Sequence, residues 1–217
     1  MSVDAEANLR RYLEERHDPS ARYASFDYCF NYFRSHYEAG QAESLADRDF
    51  MQMSCLQLGF YLASWGMFRG STTLLTRSAH CFRPVIEAIV AAPALAWEAD
   101  VADYDSETVT ELIRIGRDLG RVLPGGHSDT LVTKTMLGVF GCVPAFDTYF
   151  RRGIGTSGFR PAGMRKVHDY WQRNSELIER HRVRTLDFDS GGHTARRYTQ
   201  AKVIDMIFFI EGANRSM

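Results

Sequence analysis

Basic side chains concentrate late in the chain, where they could attract an anion. Residues 151–184 contain nine arginines and lysines against three acidic residues, a net charge of +6. Residues 1–50 contain six basic and ten acidic residues, a net charge of -4, while the whole chain has a formal net charge of -1. This asymmetry predicts either one basic face for an anionic partner, or two faces that neutralise each other within the fold or across a dimer.

Two glycine-rich segments are candidates for phosphate binding, and neither has the features that this chemistry requires. Residues 66–73 (GMFRGSTT) lack the lysine and the spacing of a P-loop. Residues 153–158 (GIGTSG) have dinucleotide-binding spacing, but that motif must follow a strand, and the preceding residues fit the end of a helix better. We interpret residues 66–73 as a helix–helix corner with a new helix capped at residues 71–73, and we predict no cofactor.

The residue types that bind metals are present, but their spacing predicts no metal site. Cys29, Cys55, Cys81 and Cys142 are far apart and form no C-x-x-C pair, so we interpret them as small core residues of a reducing compartment. The acidic residues 98–105 could bind a hard cation, but their spacing matches no calcium loop. Residues 187–192 begin like a calcium loop and lack its closing glutamate.

The elements that position these residues are predicted to be helices around one central helix. Residues 50–68 are apolar on nearly every face, which predicts a helix enclosed by its neighbours. Gly59 within this helix predicts a close helix crossing. Aromatic residues from Tyr23 to Tyr37, interleaved with Arg22 and Arg34, could stack on bases, but their helical spacing favours core positions.

Caps and breakers predict the other helices. They are expected at 5–16, from Pro19 or Ser20 to Gly40, at 72–90 with a kink or restart at Arg83-Pro84, and at 106–119, 131–140, 161–182 and 195–211. We therefore predict an all-α fold in which residues 1–217 form a single compact domain, with a two-lobed arrangement as an open alternative. No apolar signal region or membrane span is visible, so we expect a cytoplasmic protein without a membrane partner.

One segment resembles a known family. Residues 123–152 (LPGGHSDTLVTKTMLGVFGCVPAFDTYFRR) resemble the helix–hairpin–helix portion of the DNA glycosylase superfamily. In that family, which is all-α and two-lobed, a helix–LPGxG–helix hairpin is followed by a short loop and an aspartate that starts the next helix. The hairpin here is one residue shorter, and the position of the lysine found in bifunctional members lies near Asp129.

The resemblance implies roles for individual residues. The amides of Gly125 and Gly126 would meet a DNA phosphate. Asp147 would be the carboxylate that stabilises a developing sugar cation or activates water, with Lys134 as the second candidate catalytic residue. A simpler role for Asp147 is to cap the helix that follows Pro144, and this alternative stays open.

Three functional hypotheses follow. The first is a nucleic-acid-associated protein, with a role in DNA repair or defence, that binds DNA through Gly125, Gly126, Arg151, Arg152, Arg165 and Lys166. The second is a non-enzymatic subunit of a bacterial assembly, with a protein partner or a second copy of the chain. The third is a helical pocket for a small apolar ligand near Tyr61, Trp65 and His80.

Overall fold

A computed structural model describes residues 3–69, 73–126 and 128–215. Ten α-helices lie in these ranges: α1 (Ala5–Arg16), α2 (Ser25–Glu38), α3 (Arg48–Ser64), α4 (Arg83–Val90), α5 (Ala94–Glu98), α6 (Ser106–Val122), α7 (Asp129–Val139), α8 (Thr148–Ile154), α9 (Pro161–Arg180) and α10 (Gln200–Asn214). Short 3-10 turns occupy Arg22–Ala24, Ala42–Ala46, Thr73–Thr76, Ala79–Phe82 and Val101–Asp103. The predicted all-α fold class is confirmed.

The last helix, α10, is the most completely enclosed element. It runs through the apolar sequence VIDMIFFI, and every residue from Gln200 to Ile210 is buried. Thr199 caps the helix by accepting a hydrogen bond from the amide of Lys202. Helix α10 packs mainly against α8 and α1, while α2, α3 and α7 pack on one another and complete the core.

Several predicted boundaries differ from the structure. Helix α2 begins at Ser25, not at Pro19 or Ser20, because a 3-10 turn precedes it. A helix was predicted to start at Ala195 after a Thr194 cap, but His193–Arg197 form strand β2, which pairs antiparallel with β1 (Arg184–Leu186). The restart at Pro84 is confirmed, since α4 begins at Arg83 with proline in its first turn. The cap predicted at residues 71–73 involves residues outside the described ranges.

Helix α3 is buried on only one side, so the prediction of a helix enclosed on all faces is wrong. Met51, Cys55, Leu58 and Leu62 are buried, whereas the side chains on the opposite side are exposed. Helix α3 packs against α2, α7, α4 and the turns Ala42–Ala46 and Ala79–Phe82, and one of its faces remains exposed. We call the exposed residues Phe50, Met53, Leu56 and Phe60 the apolar ridge.

The acidic residues 98–105 organise backbone rather than lying free in solvent. Asp105 caps α6 by accepting a hydrogen bond from the amide of Thr108 at 2.7 Å. Asp100 accepts hydrogen bonds from the amides of Gln200 at 2.7 Å and Ala201 at 3.0 Å, so it ties this loop to the start of α10. Burial raises the pKa of Asp100 from 3.8 to about 6, against the opposing effect of these amides.

This raised pKa predicts a pH-dependent contribution to stability. The folded chain binds the Asp100 proton more tightly than the unfolded chain, so the free energy of unfolding should fall as pH rises from 3.8 to about 6. The slope from one group is at most about 1.4 kcal/mol per pH unit. Urea unfolding of wild type and of D100N, which cannot titrate here, isolates the effect. If the free energy of unfolding of wild type, minus that of D100N, rose with pH between 3.8 and about 6, the assignment would be contradicted.

Candidate functional site

A tight turn joins α6 and α7 at the segment that resembles the glycosylase hairpin. Gly125 and Gly126 have φ values of 108° and 85°, which glycine adopts readily. The amide of Gly126 donates a hydrogen bond to the carbonyl of Leu123 at 3.2 Å, so the turn itself uses this donor. The amide of Gly125 has no partner within the described ranges. Of the two predicted phosphate-binding amides, Gly125 therefore offers the available donor.

Asp147 and Lys134, the two candidate catalytic residues, form an ion pair with each other. Asp147 Oδ2 accepts a hydrogen bond from Lys134 Nζ at 2.9 Å, and Asp147 Oδ1 accepts one from the amide of Phe150 at 2.9 Å. The second contact makes Asp147 the N-cap of α8, which confirms the capping role. The two side chains are only 5% and 11% exposed. Both carboxylate oxygens are thus engaged inside the protein, and the catalytic roles stay predictions.

A second buried ion pair lies on α10. Lys202 Nζ lies 3.2 Å from Asp205 Oδ2 and donates a hydrogen bond to the hydroxyl of Tyr12 at 2.7 Å. Asp205 Oδ1 accepts a hydrogen bond from the amide of Ala145 at 3.0 Å. This last contact connects the pair to the loop that carries Asp147. We call Lys134, Asp147, Lys202 and Asp205 the lysine–aspartate cluster.

An indole ring lies between the two lysines of the cluster. The centre of the Trp65 ring is 5.0 Å from Lys134 Nζ and 5.6 Å from Lys202 Nζ. Phe26 and Tyr12 also contact Lys202, with ring centres 4.5 Å and 4.7 Å from Nζ. Cation–π attraction therefore supplements the ion pairs where water is excluded. The indole N–H of Trp65 is buried and has no hydrogen-bond partner among the described residues.

Burial opposes ionisation within this cluster. It lowers the pKa of Lys202, although the neighbouring Asp205 favours the charged ammonium. It likewise raises the pKa of Asp205, against the attraction of Lys202 and Lys134. When ionised, two lysines and two aspartates carry no net charge. The cluster therefore joins α1, α7, α8 and α10 without introducing an unbalanced charge into the core.

The sequence analysis missed Lys202 and Asp205. A pattern that could have identified them was present, because the two charged residues are three positions apart within or beside the apolar run VIDMIFFI. On a helix with an almost continuous apolar surface, such residues must be buried, and buried charges are usually paired. Their partners on α1 and in the loop before α8 could not be inferred from spacing.

The four predicted DNA-binding cations lie on α8 and α9, in different surroundings. Arg151 donates to the backbone carbonyls of Asp147 and Ser157, each at 3.3 Å, and braces the loop between the two helices. Lys166 donates to the carbonyl of Gly155. Arg152 and Arg165 are exposed. The predicted residues thus form a continuous stretch of chain, although two of them also hold local backbone in place.

A groove of 490 Å³ borders this stretch. Lys166 and Arg173 of α9 and Arg215 beyond α10 line it, together with Asp169. Arg215 also pairs with Glu211 at 3.0 Å and donates to the carbonyl of Arg152. Arg215 therefore lies beside the basic segment that the sequence identified, with its own charge balanced by Glu211.

Several cations of the fold have carboxylate partners, including Arg182 within the basic stretch, which pairs with Glu179, whereas five cations between residues 151 and 173 have none among the described residues. Arg114 of α6 contacts Glu111 and Asp118, Arg16 contacts Asp27, and Arg196 contacts Glu38. In the described ranges, no carboxylate lies within 4.0 Å of the side chains of Arg151, Arg160, Arg165, Lys166 and Arg173. We call these five residues the cationic segment. Their charge is therefore available to an external anion.

The residues predicted to form one pocket for an apolar ligand line different cavities. Tyr61 lines a cavity of 570 Å³ beside Phe60, and His80 lines a separate cavity of 700 Å³ beside Met51. Phe26, Phe30 and Phe33 of α2 are buried in the core as expected, and Tyr32 and Tyr37 pack against it partly buried. Within the described ranges, no three histidine, cysteine or acidic side chains are grouped as a metal ion would require.

Comparisons with family models, curated proteins and solved structures found no match to this chain. None of the helices in the described ranges combines the length and apolar composition that spanning a membrane requires.

Proposed function

We propose that this chain binds the phosphate backbone of nucleic acid through the cationic segment and the neighbouring α6–α7 turn. The observation that carries the proposal is that five cations without carboxylate partners among the described residues are clustered on α8, α9 and the loop between them. Uncompensated arginines and lysines on one stretch of surface attract a polyanion, because each phosphate contact releases condensed counterions.

The geometry of α9 favours an extended anion over a single small one. Arg165 and Arg173 are two turns apart on this helix, which corresponds to about 12 Å. Lys166 and Arg173 line the groove that Arg215 completes. A nucleic-acid strand presents successive phosphates along such a path, whereas one small anion would reach only part of it.

The order of elements from α6 to α8 supports the same function. A helix, a glycine-containing turn, a second helix, a loop and a capping aspartate occur in the order of the glycosylase segment. The excision chemistry implied by that resemblance is not part of the proposal. Asp147 would first have to exchange Lys134 or the Phe150 amide for a substrate.

The test measures binding to labelled duplex, nicked and single-stranded DNA by fluorescence anisotropy over a series of salt concentrations. The variant R160Q/R165Q/R173Q removes three exposed cations of the segment, and R10Q/R77Q/R197Q removes three exposed arginines elsewhere with the same change in net charge. We expect wild-type binding to weaken with salt, and the first triple variant to reduce the slope of log K against log salt by about 2–3 for duplex DNA. The control should bind as wild type.

Two outcomes would contradict the proposal. One is the absence of binding to all three DNAs at low salt. The other is equal weakening by the two triple variants, because that would show a response to net charge rather than to this surface.

The second hypothesis, a protein-interaction function, is favoured by one specific observation. The apolar ridge of α3 exposes 42% of Phe50, 47% of Met53, 44% of Leu56 and 71% of Phe60. Contiguous exposed apolar side chains of this size mark interaction surfaces in soluble proteins. This surface is independent of the cationic segment.

A further inference from the structure

The apolar ridge is part of a larger exposed patch. Phe50, Met53, Leu56 and Phe60 follow one another at helical spacing along about 15 Å of α3. Phe188, which is 73% exposed, packs edge-on against Tyr28 at 5.1 Å. Leu56, Phe60 and Phe188 line the same cavity of 570 Å³. Covering these large side chains would remove apolar surface from water, which favours association.

Two grooves of opposite charge border α3, one reaching Leu56 of the ridge and the other reaching Gln57. The groove beside the Ala79–Phe82 turn, of 700 Å³, is lined by Arg48 and Arg83 and by no carboxylate. The groove beside α2, of 770 Å³, is lined by Asp187 and Asp189 in addition to Glu38, which Arg196 neutralises. Arg48 has no carboxylate within 4.0 Å in the described part of the chain, whereas Arg83 contacts Glu87 at 3.1 Å.

This pattern is complementary to itself. In a two-fold symmetric pair the same patch serves both copies, so a contact between residue i and residue j occurs twice. A two-fold axis that exchanges the flanks places Arg48 of each copy near Asp187 and Asp189 of the other. It also brings the ridges of the two copies together, which covers their exposed apolar side chains. An unrelated partner would not have to match this charge arrangement.

We infer that the apolar ridge and its two grooves form a homodimer interface. The ridge supplies the apolar centre, and the flanking charges set the orientation. Arg48 and Asp189 are the charged residues assigned to this contact, because both are exposed and line opposite flanks. The inference does not rest on the proposed nucleic-acid function.

Sedimentation equilibrium of the full chain, from low to high micromolar concentration, tests the inference. We expect a concentration-dependent dimer in wild type and a dissociation constant at least tenfold weaker in L56Q/F60S. The control L75S alters another exposed apolar residue, 58% exposed, that lines neither groove. It should dimerise as wild type. Circular dichroism and urea unfolding would confirm that the variants remain folded.

Two single charge reversals test whether a second copy of the chain covers the ridge. R48D and D189R should each weaken self-association, because each homodimer then holds two like-charged contacts. Mixing the two variants should restore a dimer, because both contacts in the mixed pair regain opposite charges. A wild type that stays monomeric, a dimer unaffected by L56Q/F60S, or a mixture that stays as weak as its components would overturn the inference.

Discussion

Replacing Lys202 with methionine is expected to lower the free energy of unfolding by about 3–5 kcal/mol. The lysine side chain is 1% exposed, and its Nζ contacts both Asp205 and Tyr12. Methionine fills a similar volume but removes the hydrogen-bonded counterion of Asp205, so the two buried aspartates of the cluster share Lys134 alone. The nearby Asp147 carboxylate adds repulsion. Urea unfolding monitored by circular dichroism measures the loss.

A second substitution separates the charge effect from packing. Asparagine at position 205 keeps an oxygen that can accept the hydrogen bond from the Ala145 amide. K202M/D205N should therefore recover much of the stability that K202M loses, because it removes the unpaired carboxylate. The control R114M breaks the exposed contacts of Arg114 with Glu111 and Asp118 on α6 and should cost less than about 1 kcal/mol. If K202M lost no more stability than R114M, Lys202 and Asp205 would both be neutral in the folded chain.

The cluster explains how the resembling segment is held in place. Lys134 lies on α7, Asp147 begins α8, and Asp205 binds the loop between these helices from α10. The end of the loop next to α8 is therefore fixed by two contacts. Because α8 leads directly into the cationic segment, disrupting the cluster should displace the surface proposed to bind nucleic acid. A K202M protein that unfolds less cooperatively would be consistent with this connection.

Local rules predicted much of the helical framework. Residues 5–16 form α1 as expected, Pro84 restarts a helix, and Asp147 caps α8. These features depend on neighbouring residues, so a local pattern contains the necessary information. The strand at His193–Arg197 depends on its pairing with Arg184–Leu186, and the sequence pattern around Thr194 did not indicate that partner.

Features that depend on tertiary neighbours could not be predicted in the same way. An apolar residue such as Phe60 looks the same in sequence whether a neighbouring helix covers it or not. The structure leaves it 71% exposed because α2 and α4 flank α3 without covering the ridge. Similarly, Lys134 and Asp147 were selected from a resemblance, and only the fold shows that they contact each other.

The close helix crossing predicted at Gly59 is found instead between α8 and α10. A side chain added to Gly59 would meet the ring of Phe82 at 3.1 Å, which a small movement of that ring can relieve. The tightest backbone approach is between α8 and α10. A Cβ on Gly212 would lie 1.8 Å from the carbonyl oxygen of Tyr149, and one on Gly153 would lie 2.2 Å from that of Phe208. These two glycines allow the helices to contact each other directly.

Gly212→Ala is therefore expected to lower the free energy of unfolding by about 3 kcal/mol, at the upper end of the usual range for overpacking. The atoms that clash are backbone, so a change of rotamer cannot relieve the contact, and α8 must move away from α10. The helix propensity gained by alanine, about 1 kcal/mol, offsets only part of this cost. Thermal and urea unfolding provide the measurement.

Combining the two glycine substitutions tests whether both act at the same contact between α8 and α10. G153A should destabilise the fold for the same reason, but G153A/G212A should cost less than the sum, because the first substitution already separates the helices. The control G192A lies in the loop before β2, where the nearest atom is the Ser190 hydroxyl oxygen at 3.3 Å, and should change stability by less than about 0.5 kcal/mol. Additive losses would show that the two glycines act at separate contacts. A G212A protein as stable as G192A would mean that the packing of α8 on α10 does not require glycine.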